Sequence, residues 1–240
     1  MPNESGVRAI KLDHVVYFTE KPPKMIIEEQ KEMGWHAVIG GSHEKWGTHN
    51  ALMYMNNAYI EWLSVENKEI AEKSGHQLVD LLLEDVQEGE GWGTMCLSVN
   101  QLDIFNEKLC AEGYQTSGVI PAERKTVNGQ IRKWKMLFVN QAPSENLPFP
   151  FFIEWEKDES ERYKELRIDG TVLPDNEKLA ITECVLSVRD PVVTISEWSK
   201  LLSITPSGDT LRLPNAKLKF VGIESDARKE RLVEVVVEHI

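Results

Sequence analysis

The sequence predicts an α+β fold built from repeated β-α-β-β-β modules. A strand ending occurs twice, first as Tyr59-Ile60-Glu61-Trp62 and again as Phe152-Ile153-Glu154-Trp155. Each copy closes a segment that opens with a strand and a helix, and this opening returns a third time near the C-terminus. The carboxylate at the same place in both endings indicates that the first two segments share one cavity.

The first module is predicted at residues 9–65. Its opening strand, Ile10–Thr19, precedes a helix that begins at Pro22-Pro23 and ends at Gly34, because proline suits the first turn of a helix and glycine its end. A short strand at His36–Ile39 follows. Two further strands are joined through Asn56-Asn57, since asparagine tolerates the positive φ of a tight turn.

The second module, residues 91–157, repeats this order. A strand at Gly93–Val99 and a helix near Leu102–Glu112 precede a turn at Thr126-Val127-Asn128-Gly129 and two closing strands, Arg132–Val139 and Pro150–Trp155. Residues 66–90, between the modules, have apolar positions at helical spacing and are predicted to be a helical insert. Residues 1–168 would then form one domain.

A third module is predicted at residues 176–240, with a strand at Leu179–Val188 and a helix from Pro191 to Leu202. The charged stretch Glu156–Arg167 and the turn-rich Asp169–Asn176 are the best linker candidates before it.

The third module lacks the residues of a second site. Aligned on the first module, Glu183 stands at the place of His14 and Lys219 at that of Glu61, and such a pair would neutralise itself. A module without a partner leaves a sheet edge uncovered. We therefore predict that it pairs with its counterpart in a homodimer; packing on the outside of the first two modules is the alternative.

Composition excludes several classes of function. The net charge of −12 disfavours a nucleic-acid partner, which needs clustered Lys and Arg. With no apolar run of the roughly 20 residues that a membrane span requires and no N-terminal signal segment, we expect a cytoplasmic protein without a membrane partner. Three widely spaced cysteines, Cys96, Cys110 and Cys184, predict buried reduced thiols rather than disulfides.

Five motifs in order resemble the glyoxalase-like domain family of the vicinal oxygen chelate superfamily, the glyoxalase, bleomycin-resistance and extradiol dioxygenase group. They are Leu12-Asp13-His14-Val15-Val16, Trp46-Gly47-Thr48-His49-Asn50-Ala51-Leu52, Ile60-Glu61-Trp62, Arg132-Lys133-Trp134 and Pro150-Phe151-Phe152-Ile153-Glu154-Trp155. The resemblance spans about residues 10–155. Beyond that, only the order of strands and helices matches.

The resemblance implies a cupped mixed sheet that holds a divalent metal (Zn, Fe, Mn or Ni) through one ligand from the first and one from the last strand of each module. The ligands at the matching places are His14, Glu61 and Glu154. Strand alternation directs Glu61 into the cup, and we expect the same of Glu154. Thr94 or Met95 stands at the fourth place, and neither is a usual ligand, so a metal-free cup stays open as the alternative.

The implied function is a small-molecule enzyme of lyase, isomerase or dioxygenase type, in which the metal acts as a Lewis acid and a carboxylate moves a proton. Glu154 is the preferred general base and Glu61 the second choice. The alternatives are a metal-free ligand-binding or sequestration protein on the same fold and an interaction module whose cup is filled by side chains.

Substrate contacts are predicted from two pairs of residues. His49 and Asn50 follow a glycine turn, and Arg132 and Trp134 could present a guanidinium and an aromatic wall to an anionic or planar ligand. Each residue also has a purely structural interpretation. His36, His43 and His76 have no partner at ligand spacing and are expected to be solvated, and Gly40-Gly41-Ser42 is interpreted only as a loop.

Overall fold

The computed structural model describes residues 10–125, 131–224 and 227–240. The predicted turn at Thr126–Gly129 lies outside the described residues. The first sheet contains β1 (Lys11–Phe18), β2 (Val38–His43), β3 (Thr48–Tyr54), β4 (Tyr59–Val65), β5 (Gly91–Ser98), β6 (Ile120–Lys125), β7 (Ile131–Leu137) and β8 (Phe151–Trp155). The second contains β9 (Leu179–Val188), β10 (Thr210–Arg212), β11 (Lys217–Gly222) and β12 (Arg231–His239).

The helices are α1 (Pro23–Glu32), α2 (Lys68–Lys73), α3 (Gln77–Asp85), α4 (Leu102–Ala111), α5 (Glu159–Ile168) and α6 (Pro191–Leu202), with short 3₁₀ turns at Val86–Glu88 and Asn176–Lys178. None of the helices in the described ranges is both long and apolar enough to cross a membrane.

The first sheet has the strand order β2-β3-β4-β1-β5-β8-β7-β6. An antiparallel β1–β5 pair joins the two modules at its centre, while β4 lies parallel to β1 and β8 parallel to β5. The sheet curls until side chains of its two edge strands meet. This is shown by Gly41 in β2, where an added Cβ would lie only 3.0 Å from Cδ of Arg124 in β6. The predicted cupped mixed sheet of repeated modules is confirmed.

The two faces of this sheet have separate hydrophobic cores. On the outer face, Val15, Ile60 and Phe152 pack with side chains of α1 and α4 such as Ile26 and Phe105. The inner face is the concave side of the cup.

The predicted helical insert forms α2 and α3. Leu81 and Leu82 of α3 are buried with Val16, Phe18 and Leu63 of the inner face. One end of the cup is therefore closed by the insert, and the remaining space lies beside it.

The second sheet, β10-β11-β9-β12, is the third module. The pairing of its strands agrees with the predicted alignment on the first module. Glu183 pairs with Lys217, two residues before Lys219, just as His14 pairs with Tyr59, two residues before Glu61. Trp198 of α6 packs edge-on against Phe220 on one side of the sheet.

The third module packs on the outside of the first two. The Asn57 side chain donates to the carbonyls of Ile181 (2.7 Å) and Asn215 (2.8 Å), and Asn215 donates to the Leu12 carbonyl (2.8 Å). The hydrophobic core is continuous across this contact. This is the alternative arrangement named above, and the homodimer stays a prediction.

The stretch Glu156–Arg167 is not the linker that its charge suggested. It forms most of α5, which the Asp158 carboxylate caps by accepting from the Glu161 amide (2.9 Å). Tyr163 is buried and donates to the Met55 carbonyl (2.8 Å). Charged residues predominate here because only one narrow side of α5 is covered.

Candidate functional site

A β-bulge in β1 brings two polar side chains together beside the cup. Leu12 pairs with Leu97 and His14 with Cys96, so Asp13 is the extra residue of the bulge. Neighbouring residues of a regular strand point to opposite faces. Because of the bulge, the Asp13 carboxylate instead reaches Nδ1 of His14 at 2.8 Å.

Asp13 is almost fully buried and stays charged. Burial would raise the pKa of this carboxyl, but the Arg162 guanidinium and hydrogen bonds from His14 and Trp155 outweigh burial and lower the pKa to about 2. Trp155 Nε1 donates to the carboxylate at 2.9 Å, and Arg162, 3.4 Å away, lies over the Trp155 ring. The buried charge is thus compensated.

Glu61 faces the other ring nitrogen of His14. Its Oε2 lies 3.3 Å from Nε2 of His14, and its Oε1 accepts from the Asn50 amide at 2.5 Å. Although burial favours the neutral acid, His14 first and then His43 and Asn50 lower the pKa of Glu61. The carboxylate is therefore charged and held in one orientation.

His14 is buried between these two carboxylates and stacks on the Tyr59 ring at 4.4 Å. Burial would lower the pKa of the imidazole, yet the contacts with the charged carboxylates of Asp13 and Glu61 raise it well above its usual value. At neutral pH the metal-free site therefore holds an imidazolium that is hydrogen-bonded to Asp13 through Nδ1 and ion-paired with Glu61 through Nε2.

Cys96 occupies the place in the second module that His14 occupies in the first. The two residues are cross-strand partners, and ligand atoms of Asp13, His14 and Cys96 lie within 4.8 Å of one another. Thr94 and Met95, predicted for this place, pair instead with Val16 and Val15. Burial raises the pKa of the Cys96 thiol to about 12, so without a metal the sulfur is neutral.

The correspondence between the two modules also shows which residues of their last strands, β4 and β8, occupy equivalent places. Tyr59 lies beside His14, and Phe151 lies beside Cys96. Two residues further along, the first module has Glu61 and the second has Ile153. The four equivalent places therefore hold an imidazole, a carboxylate, a thiol and an aliphatic side chain.

Glu154 is not in the cup, so the prediction that it is a ligand and general base is wrong. Its carboxylate accepts from the backbone amides of Gln101 (2.7 Å) and Leu102 (3.2 Å) at the start of α4. Phe151, Ile153 and Trp155 line the cup instead. The predicted alternation of inward and outward side chains is correct for β4, but in β8 the residues that face inward are shifted by one position.

Two of the four predicted substrate contacts lie elsewhere. His49 points away from the cup, with Nδ1 3.8 Å from Glu66, because its neighbours Thr48 and Asn50 face inward. Arg132 is buried in an ion pair with Asp169 at 2.5 Å. Asn50 and Trp134 do line the cavity, and their contact with a substrate stays a prediction.

Two histidines expected to be solvated, His43 and His76, line the cup. His76 is 9% exposed and lies against Trp46, with ring centroids 4.3 Å apart. Burial, with a smaller contribution from His43, lowers the pKa of His76 to about 4. The third of these histidines, His36, is half-buried and contacts the Gly170 carbonyl at 3.0 Å.

The glycine pair interpreted as a loop belongs to β2, where it makes room for two side chains of the cup. A Cβ on Gly40 would lie 2.0 Å from Oδ1 of Asn50, which is far inside contact distance. A Cβ on Gly41, whose φ is +150°, would press on Arg124. The pair therefore permits Asn50 and Arg124 to enter the site, and the short predicted strand extends through it.

Aromatic side chains form most of the remaining wall. The cavity, counted to its open mouth, has a volume of about 660 Å³. Its aromatic lining residues are Trp46, Tyr54, Tyr59, Trp134, Phe151 and Trp155.

The donor types around His14 suit a divalent metal. The ligand atoms of Asp13, His14 and Cys96 lie within 4.8 Å of one another, and Glu61 approaches this group through His14 Nε2 at 3.3 Å. His14 Nε2, the Glu61 carboxylate and the Cys96 sulfur are the N, O and S donors that zinc accepts, while Ile153 leaves the fourth place without a protein ligand, as in catalytic zinc sites. Asp13 on Nδ1 of His14 is the outer partner that metal-binding imidazoles usually have.

Comparison with known proteins agrees with this architecture. Residues 12–202 match the family model described as a glyoxalase-like domain. A hypothetical protein from Staphylococcus aureus superposes with a TM-score of 0.79 at 26% identity, covering 96% of this chain and 91% of the other. Among curated proteins, none matches the sequence.

Methylmalonyl-CoA epimerase from Mycobacterium tuberculosis is a more distant structural neighbour, with a TM-score of 0.42 at 15% identity, covering 68% of this chain and 97% of the epimerase. A hypothetical protein from Bacillus halodurans C-125 has the same TM-score and identity, covering 63% and 97%.

Proposed function

Since the chain belongs to the glyoxalase-like domain family of the vicinal oxygen chelate superfamily, we propose that it is a small-molecule enzyme that moves a proton on a substrate bound in the cup. The reaction class is a lyase or isomerase reaction. The observation that carries the proposal is the His14 Nε2 to Glu61 Oε2 distance of 3.3 Å in a cavity lined by aromatic side chains.

Glu61 is the proton carrier. Asn50 holds Oε1, so Oε2, the oxygen that faces His14 Nε2, is the one that accepts the substrate proton and returns it. The aromatic walls exclude water and so strengthen the electrostatic interactions inside. Glu61 thereby takes the role predicted first for Glu154.

A divalent metal fits the proposal, with His14, Glu61 and Cys96 as the residues that would hold it. When bound, it would act as a Lewis acid toward a substrate oxygen. Asp13 would keep the His14 ring in the orientation that turns Nε2 toward Glu61, because it holds Nδ1.

Elemental analysis of protein purified without a His tag tests the metal. We expect stoichiometric zinc, iron, manganese or nickel in the wild type and its loss in His14→Ala. No metal after loading with divalent ions would contradict this part of the proposal.

Proton transfer is tested by NMR. Small carbon acids such as 2-oxo acids, hydroxyketones and thioesters are incubated in D₂O, and deuterium incorporation is followed. We expect incorporation with the wild type and at least a hundredfold lower rate with Glu61→Gln. Equal rates for both proteins would refute the assignment of Glu61.

A metal-free ligand-binding protein is the second candidate. Ile153 at the fourth ligand place favours it, because an aliphatic side chain there adds apolar surface to the cup. Ligand binding without metal and without deuterium incorporation would support this candidate.

Assembly and location are separate proposals. We propose a homodimer, supported by the exposed apolar side chains Val192 and Val193 of α6, which are 77% and 51% exposed. The reduced cysteines support a cytoplasmic location.

A further inference from the structure

The mouth of the cup carries polar side chains that the proposed proton transfer does not use. His43, His76 and Arg124 line the same cavity as Glu61. Both ring nitrogens of His76 and Nε of Arg124 are buried without a hydrogen-bond partner among the residues that the structure describes. Buried polar atoms in native proteins are satisfied by protein, water or ligand, so these unpartnered atoms indicate the place of a polar ligand group.

Arg124 supplies a permanent positive charge to this wall. Five other arginines pair with carboxylates, namely Arg132, Arg162, Arg167, Arg189 and Arg231. Arg124 has no ion pair with any residue that the structure describes. Its aliphatic stem crosses to Gly41 on the opposite sheet edge, which holds the residue at the cavity mouth.

The two histidines beside it are neutral. Burial, together with the charge of Arg124, lowers the pKa of His43, and burial lowers that of His76. A neutral imidazole has one N–H donor and one acceptor nitrogen. The wall therefore combines one cation with neutral hydrogen-bonding groups, which matches a monoanion better than a phosphate dianion.

The surrounding surface is flat and apolar. Trp46 lies on the His76 ring, and Trp134 and Trp155 line the cavity 5.4 Å from each other. Aromatic faces of this kind favour a planar ring in offset or edge-on contact.

We propose that the wall formed by Arg124, His43 and His76 binds the carboxylate of a small planar aromatic acid, whose opposite end reaches Glu61. The inference rests on the proposed function, because it names the substrate class of the same cup. Arg124 holds the carboxylate through charge-assisted hydrogen bonds, and His76 donates to it.

Calorimetric titration of the metal-free full-length protein with benzoate and benzamide tests the proposal. The two probes have the same ring and nearly the same shape, but only benzoate is charged. We expect benzoate to bind at least tenfold more tightly than benzamide. Arg124→Gln should remove that preference, and Arg124→Lys should keep part of it.

Lys133→Gln is the matched control, because it removes one positive charge from the exposed side of the neighbouring strand β7. We expect it to change benzoate affinity less than twofold, whereas His76→Phe should weaken benzoate severalfold. Equal affinity for the two probes, no binding of either, or the same loss from Lys133→Gln as from Arg124→Gln would overturn the proposal.

The two proposals fail separately. Probe binding needs neither metal nor turnover, so retained benzoate selectivity without deuterium incorporation would contradict the proton transfer alone. Deuterium incorporation that depends on Glu61, with no selectivity for benzoate over benzamide, would contradict the carboxylate site alone.

Discussion

His14 and Cys96 stand directly opposite each other across the β1–β5 pair, at the point where the two modules meet. Each pairs with an aromatic residue of the parallel neighbouring strand: His14 with Tyr59 of β4, and Cys96 with Phe151 of β8. Only the first module then supplies a carboxylate. The cup is therefore chemically asymmetric although its backbone is repeated.

This relationship predicts a metal-binding role for Cys96 that can be separated from packing. Cys96→Ala should weaken zinc affinity by at least about tenfold, because a direct thiolate ligand is lost. Cys184→Ala is the control, since Cys184 is equally buried but lies in β9 of the other sheet. Both variants should lose about 1 kcal/mol of unfolding free energy. Equal zinc affinity in the two variants would contradict the role.

Glu154 should matter for stability and not for proton transfer. Glu154→Ala removes the acceptor of the first α4 amides and should lower the free energy of unfolding by about 1 kcal/mol in urea denaturation. Deuterium incorporation should stay at the wild-type rate. If Glu154→Ala lost deuterium incorporation as strongly as Glu61→Gln, Glu154 would have to take part in proton transfer.

The buried His76 should make the protein less stable in acid. Its folded pKa is about 4, below the unfolded value of 6.5, so the unfolded state binds the proton more readily. The full contribution is present above pH 6.5 and is lost as the pH falls toward 4.

Between pH 7.5 and pH 5, the linkage amounts to about 2 kcal/mol. Urea denaturation at both values should therefore show a larger drop for the wild type than for His76→Phe. His239→Gln, on an exposed strand residue, should behave as the wild type does. The same drop in His76→Phe would mean that other groups cause it.

The third module should mediate dimer formation. Light scattering at micromolar concentration should give twice the chain mass of 27.4 kDa. Val192→Glu places a charge on the exposed start of α6 and should shift the mass toward one chain. A wild-type monomer under these conditions would end the dimer proposal, and packing of the third module within the chain would then be its whole role.

Sequence alone determined the order of elements and the repeated modules. Helix limits such as Pro191–Leu202 follow from proline at the first turn, and the inward direction of Glu61 follows from alternation along β4. These signals are local, so they survive without knowledge of the partner strands. These local signals, together with the family resemblance, were enough to predict His14 and Glu61 as site residues.

Tertiary structure alone decided which side chains meet. Shifting a strand by one residue exchanges its two faces, which is why Ile153 enters the cup and Glu154 leaves it. The bulge at Asp13, the place of Cys96 and the burial of His76 at the start of α3 depend on strand pairing and on an insert that folds across the cup. Contacts between distant segments set these features, and no local period in the sequence encodes them.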